Sequence, residues 1–225
     1  MTDDPTERQS LETTRRDVAA ALTRGVLGAC PFLGPVLSEA VNFLIPNQKL
    51  DRVIDWIHLL ELQVTTVDQN LERIIERLRT EEGLDLFEDG VAQASRALSG
   101  DRRQHLANII ARSLTQDELK FAESKKLLNL FQELTDPEII MLLFYSERQA
   151  IGSERLRELM NRYPEVLRPI SREIGLPQDQ IDKAALQDSY RNTLVRLGLL
   201  RENSAEGLTS LGRLLVRQMH LLTPE

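Results

Sequence analysis

The stretch LDRVIDWIHLLELQVTTVDQNLERIIERL, residues 50–78, decides the fold class. Its aliphatic residues Leu50, Val53, Ile57, Leu60, Val64, Val67, Leu71, Ile74 and Leu78 alternate spacings of three and four without a slip. That repeat holds one seam of an α-helix against a partner. With Leu50 at position a, Ile54 and Ile75 fall at e and Trp56 at g, so the apolar face is wider than a bare two-stranded seam. A helix of 29 residues is roughly 43 Å long at about 1.5 Å per residue, more than one short neighbour can cover. The pattern calls for long partners, either from this chain, with the seam as the spine of a bundle, or from a second copy, with the seam as an oligomerisation surface.

Working outward, the composition favours helix throughout. Of 225 residues, 41% are hydrophobic and only 4% aromatic, while Leu, Ala, Glu and Arg abound, so an all-α fold with at most a minor β part is expected. The net charge of −7 opposes a broadly basic nucleic-acid binder, because affinity for phosphate comes from clustered Lys and Arg. The imbalance is uneven: residues 1–134 carry 16 basic and 22 acidic side chains, residues 135–225 carry 12 and 13. Cys30 is the only cysteine, which suits a reducing cytoplasm and reads as a small buried hydrophobe. Residues 1–12 start with Asp3, Asp4 and Glu7, lack the basic start and apolar core of a secretory signal, and are expected to be a disordered tail.

Before the long helix, VAAALTRGVLGACPFLGPVLSEAVNFLIP, residues 18–46, contains 14 consecutive uncharged residues between Arg24 and Glu39. The run is too short and too broken for a membrane span of about 20 apolar residues. Pro31 and Pro35 divide it into two helices, Thr13 to Ala29 and Val36 to Phe43. Two readings stay open: a buried hairpin, or a conditional membrane hairpin in which Gly25 and Gly28 let helices approach closely and Phe32, Leu33 and Gly34 form the tip.

After residue 78, Gly83 reads as a helix end, and Leu84, Phe87, Val91, Ala94 and Leu98 as the inward stripe of an antiparallel return helix. The next helix carries Leu106, Ile109, Ile110 and Leu114, and the one after it Leu119, Ala122, Leu127, Leu130, Phe131 and Leu134 on its inward side. Thr115-x-x-Glu118 and Thr135-x-x-Glu138 are capping boxes, the second with Pro137 in the first turn. The second box sets a boundary between a helical bundle, residues 13–134, and a second domain, residues 135–225. Lys120, Lys125 and Lys126 read as a solvated face.

The second domain has the order of a winged helix. A helix ending in LVRLGLL leads to a polar ribbon, RENSAEG, then to Leu208-Thr209 and a helix containing LGRLL. Residues 194–215 resemble the second half of that family, in which the helix before the wing often enters a major groove. The matching basic residues here are Lys183, Arg191, Arg196 and Arg201, offset by Asp179, Asp182, Asp188, Glu202 and Glu206. This balance favours a protein-binding use over a DNA-binding one.

The wider order also resembles uncharacterised bacterial helical proteins and, in its later half, the abortive-infection alpha group. It comprises a Gly- and Pro-broken apolar hairpin, the IPNQ turn, a long helix, a helical middle and the LGLL and LTSLGRLL end. The resemblance implies a role in phage defence and licenses no site residue.

Motifs of chemistry are lacking. There is no glycine-rich phosphate loop, G-x-S-x-G elbow, H-E-x-x-H or Cys/His cluster, and His58, His105 and His220 lie far apart. The expectation is therefore a non-enzymatic interaction protein without catalytic residues, cofactor or metal. It would associate with a protein partner or with itself, with a stress or phage-defence role. A winged-helix transcriptional regulator dimerising through the seam is the alternative.

Overall fold

The computed structural model describes residues 47–67, 71–115, 120–148, 154–170, 177–203 and 207–220. Among them the chain is an all-α helical bundle protein of ten helices, with one isolated antiparallel bridge, Leu200 to Leu208, in place of strands. The expected tail, Cys30 and the apolar hairpin with Gly25, Gly28, Phe32, Leu33 and Gly34 lie outside the described residues. The described residues fall into two compact units. One holds those up to Leu128 together with Met219 and His220, the other is Asn129–Gln218.

In the first unit, the expected long helix is described as two, α1 (Asn47–Val67) and α2 (Leu71–Leu78). They are followed by α3 (Glu81–Arg96), α4 (Gly100–Thr115) and the first part of α5 (Phe121–Glu133). Leu50 and Val67 belong to α1 and Leu71 to α2. Val53, Ile57, Leu60 and Val64 on α1, and Ile74 and Leu78 on α2, are buried inside the chain's own core. At about 1.5–3 kcal/mol for each fully buried aliphatic side chain, this seam is a principal source of the unit's stability. α1 packs chiefly on α4 and on α3. Arg52 lies against Ser95, and Trp56 against Phe87 with ring centroids 5.5 Å apart, so α1 and α3 run antiparallel.

Two expectations about α3 are corrected. Gly83 does not end a helix; it lies in the first turn of α3, where its N–H donates to the hydroxyl of Thr80, the N-cap, at 3.0 Å. The inward stripe is also rotated from the expected one. Phe87 and Ala94 are buried as expected, but Leu84 is 37% exposed and Leu98, beyond the helix end, 76%, whereas Gly83, Leu86, Gly90 and Gln93 are buried. The cause is steric. A Cβ on Gly90 would come within 2.7 Å of the Trp56 ring, and one on Gly83 within 2.0 Å of the Arg77 carbonyl oxygen, so close helix approach selects glycine at both positions. Thr115 likewise does not open a helix: it is the last residue of α4, and its hydroxyl donates to the Ala111 carbonyl at 2.8 Å. Glu118 lies outside the described residues.

Arginines from neighbouring helices satisfy carbonyls that helix ends leave without intrahelical partners. Arg77 and Arg73 of α2 donate to the Leu114 and Thr115 carbonyls at the end of α4, each at 2.9 Å. Arg103 donates to the Ala97 carbonyl after α3 at 3.0 Å and to Asp55 Oδ2 at 2.6 Å. Lys125, expected on a solvated face, instead bridges α5 to α3, with its Nζ 2.5 Å from Asp85 Oδ2 and 2.7 Å from Asp89 Oδ2. Burial pulls its pKa down, but hydrogen bonds and charge from Asp85 and Asp89 outweigh this and hold it above the ordinary lysine value.

The second unit contains the end of α5, α6 (Asp136–Glu147), α7 (Glu154–Arg162), α8 (Pro164–Leu167), α9 (Gln178–Arg196) and α10 (Ser210–Met219) up to Gln218. At the start of α6, Glu138 reaches back as expected: its Oε2 accepts from the Thr135 N–H at 2.7 Å. α6 is apolar on nearly every side and buries Ile139, Met141, Leu142 and Tyr145, with α7, α8 and α9 packed against it. Pro164 starts the single turn of α8, where its missing N–H costs nothing.

Candidate interaction surface

α9 and the ribbon after it carry the residues singled out for binding. The helix ends at Gly198, whose φ of 69° suits glycine after a helix C-terminus. The Leu199 and Leu200 N–H groups fold back onto the Leu194 carbonyl at 2.9 and 3.1 Å. The ribbon then closes through Arg201 N–H to Gly207 O and Thr209 N–H to Leu199 O, both at 3.1 Å. Thr209 joins ribbon to helix, because its hydroxyl donates to the Gly198 carbonyl at 2.6 Å and accepts from the Gly212 N–H at 3.0 Å. A Cβ on Gly212 would lie 2.1 Å from the Leu199 carbonyl oxygen, so α10 approaches the ribbon at backbone contact. Leu199, Leu200 and Leu208 of the ribbon are buried.

α9 has mixed faces and no single apolar stripe. The line Gln180, Ala184, Gln187, Arg191 and Leu194, at spacings of four, three, four and three, is half-buried with only Leu194 fully buried; Asp188, Tyr190, Thr193, Val195 and Leu197 are half-buried as well. Its polar members are tied down. Gln187 Nε2 donates to the Val166 and Arg168 carbonyls, each at 2.9 Å, and Arg191 Nη2 to the Glu202 carbonyl in the ribbon. Ile181 and Leu186 instead face solvent, 47% and 53% exposed. A surface helix normally buries its apolar stripe and solvates its polar one.

The four basic residues do not share a face. At about 100° per residue, Arg191 is about 80° and Arg196 about 220° around the helix from Lys183. Arg191 is half-buried on its ribbon bond, while Lys183, Arg196 and Arg201 are exposed. The acidic Asp179 and Asp182 occupy the exposed first turns of the same helix.

Ile181 and Leu186 escaped the sequence reading because no periodicity marks an outward apolar residue; the available signal was the lack of any helical stripe in α9. The Asp85, Asp89 and Lys125 cluster was half visible, since two carboxylates four residues apart share a helix face, but nothing local pointed to Lys125. Among the described residues no group of three or more His, Cys, Asp or Glu is placed to hold a metal ion, and no helix is long and apolar enough to cross a membrane. No protein family, curated protein or solved structure matches the chain.

Proposed function

We propose that this chain is a non-enzymatic interaction protein. Its first unit is a bundle built on α1 as an internal spine, and its second is a winged-helix-like module that binds a protein partner through the outward side of α9. The exposure of Ile181 and Leu186 carries this reading: the helix spends Gln187 and Arg191 on its own unit and leaves these two apolar side chains, about 140° apart around it, to solvent. The seam residues Val53, Ile57, Leu60, Val64, Ile74 and Leu78 are buried within the chain, so self-association through them would compete with folding. A stress or phage-defence role rests on the sequence resemblance, and the membrane-active hairpin of residues 18–46 on that apolar, Gly- and Pro-broken run itself.

The test is affinity capture with the full chain and an Ile181→Asp, Leu186→Asp variant of unchanged circular dichroism. A protein retained stoichiometrically by the wild type and lost from the variant supports the proposal; equal retention by both removes α9 from it. The DNA-binding reading has its own observation, the exposure of Lys183, Arg196 and Arg201 on α9 and the ribbon. It requires salt-dependent duplex binding that Arg196→Glu and Arg201→Glu abolish, and no binding at low salt eliminates it. For the hairpin, liposome leakage by the wild type that a folded Gly28→Glu variant lacks is the required result.

A further inference from the structure

We draw no further inference here: the strongest candidate, the outward side of α9 around Ile181 and Leu186, belongs to the surface already described, and nothing in the structure shows which partner covers it.

Discussion

Gly90 and Trp56 show how one absent side chain sets a packing distance. The Trp56 ring rests where a Cβ of residue 90 would lie, and Ile110 closes the same point 3.5 Å away. Gly90→Ala gains about 1 kcal/mol of helix propensity but overpacks a filled core, a cost of about 1–3 kcal/mol, so net destabilisation is expected in urea unfolding. Gly100→Ala is the control: its Cβ would meet only Arg103 Nη2, at 3.8 Å, and stability should hold or rise. Lys125 gives a second prediction, with a definite sign. Its folded pKa is raised, so its contribution is fully present below the unfolded value of about 10.4 and is lost as pH rises through the folded value. The stability difference between wild type and Lys125→Met should therefore be larger at neutral pH than at strongly alkaline pH. The effect should be small, because Asp85 and Asp89 are substantially exposed.

For the elements, periodicity located helices better than it oriented them. α4 was legible because all four aliphatic residues a hydrophobic pattern counts, Leu106, Ile109, Ile110 and Leu114, are among its buried positions. α3 was only partly oriented: Phe87 and Ala94 are buried as expected, but half of its buried set is Gly83, Gly90 and Gln93, which such a pattern does not count. Glycine there is selected by the neighbouring helix, through Trp56 and the Arg77 carbonyl, and this is long-range information. α9 follows the same logic in reverse, since Gln187 and Arg191 point inward to backbone carbonyls contributed by α8, its flanking residue Arg168 and the ribbon. Its two apolar populations should therefore respond differently. Leu194→Ala, fully buried, should cost about 2–5 kcal/mol, whereas Ile181→Asp and Leu186→Asp should change thermal unfolding little. Gly212→Ala should disturb the ribbon, because the conflicting atom is a carbonyl oxygen that cannot rotate away.

Across the whole molecule, the all-α class was legible because helix propensity and the three-four repeat agree over residues 50–78, and consistency between levels specifies a fold. Whether the seam faces this chain or a copy was not legible, because a heptad pattern reads the same for both. In the structure, Val64 is buried in the core formed with α3 and α4, and this yields a prediction that separates the two cases. Val64→Asp places a carboxylate where no water reaches, and a buried unpaired charge costs several kcal/mol, comparable to the whole stability of a domain of about 5–15 kcal/mol. With an internal spine, the variant loses its helical circular dichroism and its cooperative unfolding transition. With a seam between copies, it stays helical and its molar mass by light scattering falls to that of a single chain. Leu62→Asp, on the exposed side of the same helix, controls for the effect of an added carboxylate on helix propensity and should leave both measurements unchanged.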